Sequence, residues 1–423
     1  MASLISQIPK SSHLSQYIRD DKIFCTEFNL PLRDLETCLF NIASNQRWNE
    51  NIPKEWSFFG IEINQKKILM RIMKISKIRS TASEITDRGE EVFKKVEKLD
   101  MLRYYHDAGK ALYFKEDGLY DKVIINVQWF IDAFKHIITD KLHFTGIPGT
   151  QENWEEYYKT GNLRDQLLVE IWKYKDEELF EKLKKEEKYS DNESEDNDSE
   201  DESDENDKRY LLCHKESLLN FMQRLGLLAI GTESHYVPCM NRKEIETELL
   251  NLIEESESKS SVLVYQFDFL PFFLFFRLVV GCMQENGWKV LRNRGTSCLY
   301  KNAALFSYIQ YNIVLSVTKE SIQLQVFCPI QGIILETEKI CLIQERIEEL
   351  LNALAGTFNR KIQYVRGFRC RMDKEETIAM DIKEHFLPEK DIPKEDLKLM
   401  CPLHSVTDRH IIDTAELTRY WKL

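Results

Sequence analysis

The sequence predicts an α+β fold: a helical first domain followed by a smaller α+β domain built on an antiparallel β-meander. Three observations carry that prediction. Twice a helical apolar stripe stops at a glycine, Gly109 and then Gly226, and a hairpin pattern follows. Past residue 262 short runs alternate apolar and polar residues, which is strand spacing rather than helix spacing. Finally, Ile340, Ile343, Ile347, Leu350, Leu351 and Leu354 recur with the period of an amphipathic helix and stop at Gly356.

Taken in order, residues 1–70 show helical patterning around 32–43 and a strand-like run at 61–63. The first strong unit spans residues 102–138. Tyr104, Tyr105, Leu112, Tyr113 and Phe114 lead into an acidic turn with Asp117 and Gly118, and Val123, Ile124 and Ile125 form the return strand. Trp129, Phe130, Ala133, Phe134, Ile137 and Ile138 then recur at helical spacing, so one face of that helix is expected to be buried. A Lys- and Glu-rich helix is predicted over about 164–188. In the second unit Leu218, Phe221, Met222 and Leu225 form a stripe that stops at Gly226, followed by LLAI, a GTES turn and HYVPCM. The order helix, glycine, strand, turn, strand is winged-helix-like, and it places two such elements in a first domain of residues 1–245.

Between these units lies the most acidic part of the chain. Residues 190–207 carry eleven acidic and no basic residues, so a formal charge of -12 falls to -1 without them. Such a tract cannot bury apolar area and is expected to be a disordered insertion. Ser190, Ser194, Ser199 and Ser203 sit in acidic surroundings that resemble acidophilic kinase sites, although a plain solvated insertion explains the composition equally well.

Residues 243–259 read as a charged helix and linker, with 246–261 as the junction to a second domain of residues 262–423. There, Leu263, Tyr265 and Phe267 alternate as a strand. Pro271 opens a helix whose stripe is Phe272, Phe273, Phe276, Val279, Val280 and Met283. Strands are predicted over 288–291, 296–300, 304–309, 313–318 and 322–327. In the last, Ile322, Leu324 and Val326 alternate with Gln323 and Gln325, which predicts one buried and one wet face.

Composition narrows the class. A chain of 423 residues with 43% hydrophobic content is long enough for two or three domains with real cores. The most apolar stretch, 267–283, is interrupted by Asp268, Pro271 and Arg277, so no membrane span is expected. MASLISQIPKSS lacks an apolar run behind a basic start, so neither signal nor transit peptide is read, and the expected location is the cytoplasm. Cys25, Cys38, Cys213, Cys239, Cys282, Cys298, Cys328, Cys341, Cys370 and Cys401 are dispersed, as reduced thiols are.

No catalytic constellation emerges. A P-loop needs G-x-x-x-x-G-K-[ST], and around Gly109-Lys110 the first glycine is replaced by Tyr104 and the hydroxyl residue by Ala111. No N-K-x-D motif for reading guanine is present, so the chain alone is not expected to bind GTP or to be an enzyme. His106 beside Asp107 at a helix end reads as a dipole partner rather than a catalytic base. Cys401, His404 and His410, with Cys370 as a fourth, are candidate zinc ligands. Zinc sites usually show tighter paired spacing on both sides, so no metal or cofactor is expected. Arg360, Lys361, Arg366, Arg369 and Arg371, interleaved with Tyr364 and Phe368, could meet phosphate or anionic lipid. A solvated basic strand face explains the run as well, and nucleic-acid binding is not expected.

The segment 102–138 resembles the COR domain, the module that follows the Roc GTPase in Roco proteins and related death-domain receptors. The family pattern runs as a helix ending in H-D-x-G, a strand L-Y-F, an acidic turn, then V-I-L-D-P-Q-W-L and an amphipathic helix. The matching residues are His106, Asp107 and Gly109, then Leu112, Tyr113 and Phe114, then Val123 to Ile125, Gln128 and Trp129. Asn126 and Val127 stand where the family usually has Asp and Pro. Upstream, Trp48 with Ile52, Pro53 and Trp56 is similar to the family's W-x-x-x-(I/V)-P-x-x-W, and the resemblance continues downstream through 218–240 and from Val262 onward. It implies a non-enzymatic scaffold that couples a Roc-type GTPase, in cis or in trans, to self-association through the second domain as a homodimer. The alternative is the C-terminal portion of a larger Roco GTPase or receptor. A P-loop domain encoded upstream would favour that alternative, and a start at Met1 the scaffold. A winged-helix nucleic-acid binder is the weaker third reading.

Overall fold

The structure is a computed structural model that describes residues 71–75, 95–116, 118–138, 150–190, 211–356, 363–370, 386–393, 397–401 and 410–422, together with 56, 60, 63, 64 and 66. The chain divides into two compact units, 1–64 and 65–423, and the fold below is that of the second. The readings at 32–43, 48–53, 61–62, Asp117 and 191–207 fall outside the described residues, and Ile63, read as part of a strand, is helical.

The fold is α+β, with a helical part preceding a large antiparallel sheet. The helical part comprises β1 (Ile72–Lys74), α1 (Lys95–Asp107), β2 (Lys122–Ile124), α2 (Val127–Ile137), α3 (Gln151–Thr160), β3 (Asn162–Arg164), α4 (Asp165–Ser190), α5 (Lys215–Arg224) and β4 (Ser234–Tyr236). Chain reversal after α1 and α5 uses left-handed glycines, Gly109 at φ 67° and Gly226 at φ 69°, a conformation only glycine adopts cheaply.

The two predicted hairpins are each narrower than expected. The first reduces to a bridge between Leu112 and Ile124, and β2 pairs mainly with the upstream β1. In the second, a bridge joins Ala229 to Tyr236 while β4 pairs with the upstream β3. Both units therefore share one plan, in which the return strand is shared between the glycine-led segment and an earlier strand. Short glycine-led segments carry too few residues to supply a full ladder.

One core joins these elements. Trp129, Phe130, Ala133 and Ile137 of α2 pack with Trp154, Tyr157, Leu168, Trp172, Leu218 and Phe221. Trp154, Tyr157, Trp172 and Phe221 are fully buried, and each large apolar side chain contributes about 2–3 kcal/mol by leaving water. The carboxylate of Asp176 on α4 accepts from the backbone N–H groups of Leu211 (2.9 Å) and Leu212 (3.2 Å). That clamp ties α4 to the segment that leads into α5.

Residues 246–261, read as a linker, carry α6 (Thr247–Glu255) and β5 (Ser258–Lys259), which pairs with the main sheet. The sheet itself comprises β6 (Leu263–Phe267), β7 (Trp288–Val290), β10 (Ala303–Tyr308), β11 (Tyr311–Val317), β12 (Ser321–Cys328), β13 (Tyr364–Arg369) and β14 (Phe386–Pro388). A small ribbon, β8 (Arg292–Asn293) with β9 (Thr296–Ser297), precedes β10. Strand order is β14-β13-β6-β12-β11-β10-β7, with every pairing antiparallel. Of the five predicted meander strands, 288–291, 304–309, 313–318 and 322–327 correspond to β7, β10, β11 and β12 of the sheet, whereas 296–300 is reduced to β9 in the separate ribbon.

Helices α7 (Phe272–Gln284) and α8 (Thr337–Gly356) pack on one face. The α8 stripe, Ile340, Ile343, Ile347 and Leu351, is buried as its period predicts. The α7 stripe differs from expectation. Leu274, Phe275, Leu278, Val279, Val280 and Cys282 are the buried residues, whereas Phe272 and Phe273 are 42% and 47% exposed. An almost wholly apolar helix has no polar face to set its rotation, so packing decides it.

The wet face predicted for β12 is also corrected, because Gln323 and Gln325 are buried along with the rest of the strand. Leu249 and Ile253 of α6 pack over Leu305, Val314 and Phe327 on that side. Gln325 Nε2 donates to the Ser260 carbonyl at 3.0 Å. The sheet is thus covered on both faces, a tertiary fact that period-2 alternation cannot reveal.

Candidate functional site

The signature segment 102–138 folds around Phe114. His106, in the last turn of α1, meets the Phe114 ring edge-on at 5.0 Å, and Gly109 N–H donates to the His106 carbonyl at 2.9 Å. Phe114 in turn packs on Phe221 of α5 at 5.7 Å, with the Arg224 guanidinium over its ring at 5.0 Å. Arg224 Nε also donates to Glu116 at 2.6 Å. The L-Y-F segment therefore docks the first glycine-stopped helix unit onto the second. Tyr113 is buried, which raises its phenol pKa. Asp107 is exposed beside Gly109, and the buried Nδ1 of His106 has no hydrogen-bond partner among the described residues.

Asn126 and Val127 acquire a physical meaning here. Asn126 is the N-cap of α2, its side chain accepting from Trp129 N–H at 2.9 Å, and Val127 is the first helical residue. Asp and Asn cap equally well, and Pro at the next position is preorganised for a helix start. The departure from the family pattern thus keeps the cap and gives up only the proline. Trp129 anchors the helix in the core, while Gln128 faces out and donates to Asp132 at 2.9 Å.

The far end of α2 is held by residues whose role is not evident in the sequence. Tyr157 Oη donates to the Ile137 carbonyl at 3.0 Å, and Trp172 Nε1 to the Ala133 carbonyl at 3.2 Å. Both aromatics are fully buried, and they satisfy carbonyls at or near the helix terminus. The only advance signal is that Trp154, Tyr157 and Trp172 are large aromatics in an otherwise charged stretch.

Of the four candidate zinc ligands, the structure brings three together. Cys370 follows β13, Cys401 follows β15 (Lys398–Met400), and His410 precedes β16 (Ile411–Asp413). Cys370 Sγ lies 3.4 Å from Cys401 Sγ and 3.2 Å from His410 Nδ1. Both sulfurs are buried, at 3% and 2% exposure. His404 lies outside the described residues.

The basic run does not form a solvated patch where it is described. Arg366 is half-buried, bidentate to Glu389 and bonded to Glu348 at 3.1 Å. Those carboxylates push its pKa further up despite burial. Arg369 is 4% exposed. Arg360, Lys361 and Arg371 lie outside the described residues. Among the described residues no helix is long and apolar enough to cross a membrane.

No family model matches the sequence, and no curated protein matches it. Among solved structures, Methanosarcina barkeri Roco2 RocCORdC bound to GDP is similar at 15% identity with a TM-score of 0.31, over 56% of this chain and 61% of that one. At this level the likeness is one of fold at most. The chain spans less than two thirds of that protein's length.

Proposed function

We propose that the chain is a non-enzymatic COR-type scaffold that couples a Roc-type GTPase to self-association and signalling. The observation that supports this reading is the packing of the signature residues. His106, Phe114 and Trp129 belong to one contiguous unit, docked through Phe114 on the second glycine-stopped helix. A module of that kind offers a rigid helical face to a partner and a sheet half for assembly. In this reading residues 1–245 are the GTPase-facing domain and 262–423 the dimerisation domain. The burial and pairing of Arg366 and Arg369 speak against using that strand for nucleic acid.

The test is mass in solution by light scattering, with and without a Roc-type GTPase domain and with GTP or GDP. A dimer, or a nucleotide-dependent complex, is expected. A chain that stays monomeric at high micromolar concentration and ignores both GTPase and nucleotide would remove the functional reading.

A further inference from the structure

We propose that Cys370, Cys401 and His410 form a structural zinc site that staples the C-terminal hairpin to the main sheet. The site does not depend on the COR reading. Its argument begins with where the three ligands come from. Cys370 leaves the end of β13, inside the large sheet, while Cys401 and His410 face each other at the loop end of the separate β15–β16 hairpin. Cys401 N–H donates to the His410 carbonyl at 2.9 Å, so the ribbon's own ladder holds those two residues in register. Two chain segments that share no strand pairing thus converge on one point.

The spacing suits a metal. Zinc sits about 2.3 Å from sulfur and about 2.0 Å from imidazole nitrogen, so tetrahedral ligand atoms lie roughly 3.5–3.8 Å apart. The Cys370 Sγ separations of 3.4 Å from sulfur and 3.2 Å from Nδ1 are slightly contracted versions of those edges. A disulfide needs about 2.05 Å.

Donor chemistry narrows the ion. Two thiols and an imidazole form a soft, nitrogen- and sulfur-only set, which selects zinc over magnesium or calcium. Burial of both sulfurs points to a structural rather than a hydrolytic role. A cleft of about 420 Å³, lined by Cys370, His410, Asp413 and Leu417 among others, reaches the cluster and supplies an entry path. The three described ligands leave the fourth tetrahedral position to a water molecule from the cleft.

The consequence is structural continuity at the chain's end. After β16 come α9 (Thr414–Thr418) and Trp421, whose Nε1 donates to Ser261 Oγ at 2.7 Å beside β6. Lys422 N–H donates to Gln344 of α8 at 2.8 Å. A zinc ion at the hairpin's loop end, bound to Cys370 after β13, fixes the other end of this strap, so the C-terminal segment is pinned to the sheet at both ends.

The full chain, purified under reducing conditions, is expected to carry one zinc by inductively coupled plasma mass spectrometry. Cys370→Ser, Cys401→Ser and His410→Ala should each lose most of it, while Cys213→Ser, an exposed cysteine of the helical part, should keep it. Because a ligand variant can unfold the domain, cobalt on the wild-type chain is the second probe, and a thiolate-to-cobalt charge-transfer band with tetrahedral d–d bands is expected. Chelation should lower the thermal midpoint by about 5 °C or more. The proposal is overturned by a chain without zinc and without the cobalt band, by ligand variants that keep full zinc, or by a Cys370–Cys401 disulfide in the reduced preparation.

Discussion

At the scale of single residues, glycines separate cases that look alike in sequence. Gly109 and Gly161 both have positive φ, 67° and 71°. A Cβ on Gly109 would meet nothing within 4 Å, whereas one on Gly161 would sit 2.7 Å from the Val237 carbonyl oxygen. Left-handed strain alone makes Gly109→Ala cost about 1 kcal/mol. Gly161→Ala adds a displaced backbone carbonyl and should cost about 3 kcal/mol. Urea unfolding of the two variants checks the difference, and equal costs would show that the Val237 approach is soft. His235 gives a second residue-level prediction. It is 4% exposed, and burial lowers its pKa below the ordinary 6.5, helped by Lys215 and opposed by the hydrogen bond to Asp165. His136 is lowered in the same way, by burial first. The folded state then binds fewer protons than the unfolded one below about pH 6.5, so this stability is present above that pH and lost as pH falls through the folded pKa. The Asp165 carboxyl, held low by Lys215, adds its own loss only below about pH 4. The urea midpoint should be lower at pH 5.5 than at 7.5, with a shallower dependence in His235→Gln. An unchanged dependence in that variant would remove His235 from the account.

At the scale of elements, α2 shows how a sequence signature and a helix cap are one thing. Its first turn carries no acidic residue, and its only side-chain cap is Asn126. Asn126→Ala should cost about 1 kcal/mol, Asn126→Asp should be neutral or gain about 0.5 kcal/mol from the helix dipole, and Val127→Pro should be tolerated. Thermal melts of the three variants would check this order, and a harmless Asn126→Ala would mean the cap is made elsewhere. Element positions in the second half were largely legible. The predicted strands at 304–309, 313–318 and 322–327 correspond to β10, β11 and β12, and the stripe ending at Gly356 to α8. Alternation and 3.6-residue spacing are written within a few residues of chain, so they survive without tertiary knowledge. The α7 rotation and the hairpins at 112–125 and 229–236 were not legible, because each depends on a partner far along the chain.

At the scale of the whole molecule, Phe269, Phe272 and Phe273 stand 76%, 42% and 47% exposed at the start of α7. If the second half self-associates as proposed, this aromatic surface is its best candidate contact. Phe269→Asp with Phe272→Asp should then weaken self-association at least tenfold in sedimentation equilibrium while leaving the monomer's circular dichroism intact. A dimer indifferent to both substitutions would place the contact elsewhere.

What the sequence determined by itself is the α+β class and the order of most elements, since local periodicity and turn residues encode both. Only the tertiary structure decided that Gln323 and Gln325 are buried, that Arg366 is paired rather than displayed, and that Cys370 meets Cys401 and His410. Those facts need segments separated by many residues to close on one another, and the outcome depends on the packing of the whole sheet, which no window of sequence contains.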